Sequence, residues 1–236
     1  MTTTRLREHV LARRPVVIRD LFKGQPVARL DTEAKALRAF GDLKLKTRLR
    51  YPLPLQSRPE GADDIRVESL AAYLRGMRQA RNAHRCCVEY EAPAEFRTAF
   101  SLPGCCTGLE QIPDDVLSLL FVAPKGHVTS LHFDCDHRQV FLHQVFGLKR
   151  VTMIRPDVGR RVLPVGSVST LLIEDMGEED RVRLFAQLGA EVTLLGPGET
   201  LFIPALAWHH VEYLETSMSF SIRFGRWRFG RFIAEN

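Results

Sequence analysis

The hexapeptide HFDCDH, residues 132–137, places two histidines and two aspartates within six positions. Imidazole nitrogens and carboxylate oxygens bind divalent transition metals, and a set without thiolates argues against a closed structural zinc site. If residues 131–135 are extended, positions two apart share a face. His132 and Asp134 then point one way, and Phe133 and Cys135 the other. A third ligand must come from elsewhere. The stretch PALAWHHVEY, downstream of the turn GPGE, offers His209 and His210. A histidine-x-aspartate pair is common by chance, so its neighbours decide what it is worth.

The elements that must carry these residues are short. RRPVVIRDLF (13–22) reads as a buried strand, and DTEAKALRAFGD (31–42) as a helix with Asp31 as N-cap and Gly41 past its end. Apolar residues at helical spacing predict an amphipathic helix over 67–82, and HRCCVEYEAP a strand ended by Pro93. From Pro113 the texture changes. Short apolar runs separated by Gly and Pro recur as SLLFVAP, TSLHFDCD, QVFLHQVFG, KRVTMIRP, AEVTLLGPGE and SMSFSIRFG. Many short strands at such spacing predict an antiparallel sandwich or barrel. Residues 168–190 interrupt it with a helix and loop. There is no internal repeat.

The chain has 236 residues, 45% of them hydrophobic and 26% charged, which suits one globular domain with a buried core. No apolar run is long enough for a bilayer, and the N-terminal segment does not read as a secretory signal. The net charge of +5 is concentrated early, as in LKLKTRLR (43–50). Apolar and basic residues alternate there with period two, the pattern of a solvated strand face, which leaves room for an acidic partner such as RNA. Five cysteines, an odd number, predict reduced thiols in a cytoplasmic protein, and the two adjacent pairs, which lack CxxC spacing, read as small core residues.

Two histidines and one carboxylate with open positions form the facial triad of non-haem Fe(II) oxygenases. Around the histidine-x-aspartate pair the chain reads TSLHFD, then QVFGLK, then GPGETLFIPALAWH. These linked motifs, in this order, resemble the JmjC or cupin-like family of Fe(II)/2-oxoglutarate-dependent dioxygenases, in particular its asparaginyl hydroxylases and their small relatives. RPVVIRDLF resembles the family's opening strand. The chain departs from the pattern at Val140, where an asparagine is common, at Ala207 in place of an aromatic residue, and in two extra residues after Asp134.

The resemblance implies a mainly β fold: a double-stranded β-helix (cupin or jelly-roll) core with helices in the N-terminal third and one helical insertion. It implies a single domain over 1–236, with an α+β support at 1–112 and the core at 113–228. His132, Asp134 and His209 would be the iron ligands. His209 is preferred over His210 by its spacing from Pro204, and only one of two successive strand residues can face inward. Lys149 would bind the distal carboxylate of 2-oxoglutarate, helped by the Thr129 hydroxyl. Arg223 and Tyr90 are further candidates for the co-substrate pocket, with Ser219 and Ser221 on the face of Arg223. Asp136, His137 and His143 are assigned to the rim or the scaffold, and Trp208 and Trp227 to packing.

The implied activity is hydroxylation of a C–H bond in a protein, peptide or amino-acid side chain, with succinate and CO2 as co-products. N-methyl demethylation by the same chemistry, a catalytically silent binding module and a different metal cupin are the alternatives. Lys149 with Thr129 argues against the last, which needs no carboxylate anchor. A monomer, or a dimer built differently from the C-terminal helical dimers of some members of that family, is expected, with no membrane partner. Substrate choice is assigned to the loops at 53–66 and 157–180.

Overall fold

The computed structural model describes residues 1–49, 65–79, 85–106 and 116–225. In chain order the elements begin with α1 (Thr3–Leu11), β1 (Val16–Arg19), α2 (Glu33–Phe40), β2 (Lys44–Leu49), β3 (Arg66–Ser69), α3 (Leu70–Arg78), β4 (Arg85–Glu91) and α4 (Ala94–Arg97). They continue with β5 (Leu117–Ala123), β6 (Val128–His132), β7 (Gln139–Phe146), β8 (Lys149–Ile154), β9 (Pro164–Val165), β10 (Val168–Ser169) and α5 (Glu178–Leu188). The last four are β11 (Glu191–Leu195), β12 (Glu199–Ile203), β13 (Trp208–Tyr213) and β14 (Ser217–Phe224). No helix among the described residues is long and apolar enough to cross a membrane.

The strands form two antiparallel sheets, the jelly-roll arrangement. One has eight strands in the order β1-β12-β7-β14-β5-β4-β2-β3, and the other six in the order β11-β8-β13-β6-β10-β9. Val140, Leu142, Leu201 and Ile203 of the first sheet pack with Val151, Met153, Val211 and Tyr213 of the second. The outer face of the large sheet is covered by α2, α3 and α4, which bring Ala36, Leu70, Tyr73, Leu74 and Phe96 onto Leu120, Val122, Met218, Phe220 and Ile222. Burying each of these large side chains contributes about 1.5–3 kcal/mol. The insertion covers the outside of the small sheet, where Leu131, Ile154 and Trp208 meet Ile173 and Leu188. A sheet covered on both faces explains why every residue of β7 and β14 is buried.

Three local expectations are corrected. Thr32, not Asp31, caps α2: its hydroxyl accepts from Lys35 N, while Asp31 Oδ1 pairs with Lys35 Nζ at 2.6 Å. The helix expected over 67–82 starts only at Leu70, because 66–69 pair with β2 and Ser69 supplies the cap. Val67, taken for part of its apolar stripe, is exposed. The strand expected over 131–135 ends at His132, so Asp134 lies in the loop that follows. Along β2 exposed lysines alternate with buried Leu45 and Thr47, as a solvated strand face requires. Cys86 and Cys87 point to opposite sides of their sheet, one into each apolar cluster. Trp227 and residues 53–64 of the first expected substrate loop lie outside the described residues.

The β7–β8 hairpin aims Lys149. Gly147 sits at φ +76°, and a Cβ there would lie 2.3 Å from Thr216 O and 2.5 Å from Ser217 Cβ. The Gln144 amide donates to the carbonyls of Phe146 (2.7 Å) and Gly147 (3.0 Å), so the Q-x-x-G-x-K spacing closes its own turn. Gly147→Ala combines a left-handed backbone with overpacking and is expected to lower stability by about 2–4 kcal/mol, measured by urea denaturation.

Candidate metal and co-substrate site

Between the two sheets lies a cavity of about 510 Å³, lined from both sides. Strand β14 explains its polarity. Met218, Phe220, Ile222 and Phe224 point outward into apolar clusters, so period-two alternation turns Ser219, Ser221 and Arg223 inward. The buried inner face is thus the polar one, the reverse of an ordinary half-solvated strand.

At one end, His132, Asp134 and His209 bring their ligand atoms within 4.8 Å of one another. His132 and His209 face each other across the β6–β13 ladder, with ring centroids 4.1 Å apart. Their Nδ1 atoms lie 2.8 Å from Ser130 O and 3.0 Å from Ala207 O. A carbonyl only accepts, so each Nδ1 carries the proton and donates, leaving the Nε2 lone pairs for a metal. Burial, then the neighbouring His132, pushes the His209 pKa down to about 4, so its ring is neutral at neutral pH. For Asp134, burial works to raise the pKa, but His209, Arg223 and His132 outweigh it and hold the carboxyl below its usual value. Arg223 forks between Asp134 Oδ1 (3.1 Å) and Asp136 Oδ2 (3.3 Å). This donor set fits a divalent transition metal with room for further ligands.

Thr129 and His132 are three apart, which in a regular strand would put them on opposite faces. The ladder pairs His132 with His209 but Thr129 with Val211, so β6 holds one residue more than β13 over this interval. This bulge turns both side chains into the cavity. It is the structural meaning of the T-x-x-H spacing.

At the other end sits Lys149, 1% exposed. Its Nζ donates to Ser219 Oγ and lies 4.2 Å from the centroid of the Tyr213 ring. Lys149 pairs with Tyr213, four residues along β13 from His209, or about 13 Å. The lysine side chain and a short chelating dicarboxylate can together bridge that gap. Burial, with no offsetting carboxylate among the described residues, pulls the Lys149 pKa down to about 7. Ser221 Oγ, buried on the same wall, has no partner among the described residues. An ammonium and a hydroxyl left for an anion are what a carboxylate co-substrate requires.

Of two further residues expected in the pocket, Tyr90 is placed elsewhere and Arg223 lines the cavity away from the lysine. Tyr90 packs against the outer, helix-covered cluster and does not line the cavity. Glu89 adopts φ +58°, and Cys87 pairs with Val122 while Tyr90 pairs with Leu120, so an extra residue in β4 returns Tyr90 to the face of Cys87. Arg223 does line the cavity, but it lies four residues along β14 from Ser219, at the Asp134 end rather than beside Lys149. Tyr213, overlooked in the sequence, is the tyrosine beside the lysine. Its period-two relation to His209 and Val211 on one strand was the available signal.

His210 points away from the cavity, with Nε2 3.4 Å from Glu174 Oε2. Burial works to raise the Glu174 pKa, but His210, the Glu174 backbone N–H and Ser130 outweigh it and bring it to about 2. Asp136 is held by Arg138 and Arg223, and His143 is a core residue bonded to Thr200 Oγ1 at 2.8 Å. Val140 lines the cavity where the family pattern has an amide.

Residues 2–227 match the cupin-like domain family. Lysine-specific demethylase 8 of Danio rerio is 33% identical over 140 residues, covering 56% of this chain and 33% of that protein. Its counterpart in Xenopus tropicalis is 28% identical over 138 residues, 56% of this chain and 30% of the relative. The tRNA wybutosine-synthesizing protein 5 of Mus musculus is 35% identical over 105 residues, 44% of this chain and 33% of the relative. The matched segment therefore spans about a third of these relatives' own length.

Folding with a buried ammonium is unfavourable, so the lysine yields a pH test. Between pH 7 and the unfolded value of 10.5 the unfolded chain binds more protons, and this group's penalty shrinks as pH rises. Lys149→Met should be more stable than wild type at pH 7, by about 1–3 kcal/mol. The difference should close toward pH 10 in melting temperatures taken without co-substrate.

Proposed function

The chain belongs to the cupin-like domain family, and on that premise we propose that it is an Fe(II)- and 2-oxoglutarate-dependent oxygenase. It hydroxylates a C–H bond of a protein, peptide or amino-acid side chain and releases succinate and CO2. The observation that carries this reading is the two-ended cavity: a histidine–aspartate–histidine cluster at one end and, at the other, a buried lysine with no carboxylate partner among the described residues. His132 and His209 would bind iron through Nε2, and Asp134 through the oxygen that Arg223 does not take. When bound, ferrous iron and 2-oxoglutarate supply oxygen activation, coupling decarboxylation of the co-substrate to oxidation of a C–H bond.

The protein's own part is orientation. Lys149 and Ser219 hold the distal carboxylate and fix the direction of the co-substrate. Thr129 and Ser221 stand on the walls along its length. Val140, Leu142, Ile203 and Val211 exclude water from the reacting end. Removal of a methyl group from nitrogen is the second reading, favoured by the names of two of the relatives. It uses the same site, and formaldehyde release distinguishes it. A macromolecular substrate fits both readings, and the tRNA-related name of a third relative keeps RNA among the candidates.

Purified protein with Fe(II), ascorbate, oxygen and 2-oxoglutarate is expected to form succinate without added substrate. His132→Ala, Asp134→Ala, His209→Ala and Lys149→Met should each reduce the rate at least tenfold, and Tyr90→Phe should leave it within twofold. Wild-type rates in the metal-site variants would overturn the assignment.

A further inference from the structure

The insertion between β8 and β11 does more than cover the small sheet. Its segment 173–175 passes beside the two strands that carry the histidines. Ile173 is fully buried against the outer face of that sheet, and its carbonyl accepts from Arg181 Nη2 at 3.2 Å. Arg181 Nη1 in turn pairs with Glu212 of β13 at 3.1 Å. These contacts fix where Glu174 starts. From there Glu174 Oε1 accepts from Ser130 Oγ at 2.8 Å, and Oε2 lies 3.4 Å from His210 Nε2.

Both partners adjoin a candidate metal ligand. Ser130 sits in the β6 bulge, and its carbonyl is the acceptor that holds His132 Nδ1. His210 follows His209 on β13. A bulge is a weak point, because two residues oppose one and the ladder cannot fix the peptide that bears the acceptor. A side-chain hydrogen bond from the bulged residue to an anchored carboxylate supplies the missing restraint. The second oxygen of the same carboxylate faces β13, 3.4 Å from His210 Nε2 but outside hydrogen-bond geometry.

We propose that Glu174 is a positioning residue for the metal centre. It clamps the Ser130 bulge and the back of His210, so that His132 and His209 keep the spacing and tilt needed to share one ion. The inference rests on the assignment of those histidines as ligands. It assigns to the insertion a role inside the site, in addition to any role in substrate choice.

The test uses Co(II) as the metal probe, titrated into full-length apoprotein, with visible absorption bands reporting coordination geometry. Loss of a group that orients a metal ligand costs about 10–100-fold in metal affinity. Glu174→Ala and Ser130→Ala should each weaken Co(II) binding by that factor and shift the bands, and the double variant should be no weaker than Glu174→Ala alone. Ser130→Thr keeps the hydroxyl and should restore affinity and spectrum. Melting of the apoproteins separates misfolding from misplacement. If Glu174→Ala does not fold, the Ser130 pair carries the test. Wild-type affinity and spectrum in both alanine variants would overturn the clamp while leaving the metal site standing. Equal Co(II) binding by wild type and His132→Ala would instead overturn the ligand assignment, and the clamp with it.

Discussion

Lys149 takes its ammonium into the space between two sheets, where no carboxylate of the described residues offsets the burial. The rest of the site is arranged around that charge. A desolvated cation without a partner is unfavourable, and a fold tolerates it when a ligand supplies the counter-charge. Ser219 and the face of Tyr213 ease it in the free protein. Neither neutralises it. The lysine therefore sets the cavity's selectivity for an anion before any ligand arrives.

The opposite end solves the complementary problem. Asp134 lies in a loop, where a strand ladder cannot hold it, and its carboxylate is steadied by Arg223 from the neighbouring sheet. The guanidinium engages Oδ1 and shares its second arm with Asp136. Backbone carbonyls fix the tautomers of His132 and His209. The geometry at this end is thus held by contacts from β6, β13, β14 and the β6–β7 loop together. A jelly roll suits such a site because its sheets face each other across a gap that strands of both can line.

Bulges decide which residues face that gap. In β6 the extra residue lets Thr129 and His132 share a face. In β4 the extra residue at Glu89 takes Tyr90 out of the cavity and packs it under the helices. The same device thus adds one residue to the site and removes another. Period-two reasoning works on either side of a bulge and fails across it.

The order TSLHFD, QVFGLK, GPGETLFIPALAWH was legible because each motif encodes a local geometry: a strand with a bulge, a turn closed by Gln144 at a glycine whose positive φ and close neighbours disfavour any side chain, and a tight entry into β13. Periodicity gave the β-rich core and the histidine–aspartate pair, and the family resemblance carried by the three linked motifs gave the lysine. The alternation of SMSFSIRF likewise put Ser219, Ser221 and Arg223 on one face. Which face is inner depends on what covers the other, and that covering comes from helices more than a hundred residues away in the chain. The partner of Arg223, the displacement of Tyr90, the place of Tyr213 beside Lys149 and the reach of Glu174 to Ser130 are all of this kind. They join segments distant in sequence, and a local pattern carries periodicity along one strand but no record of what packs across it.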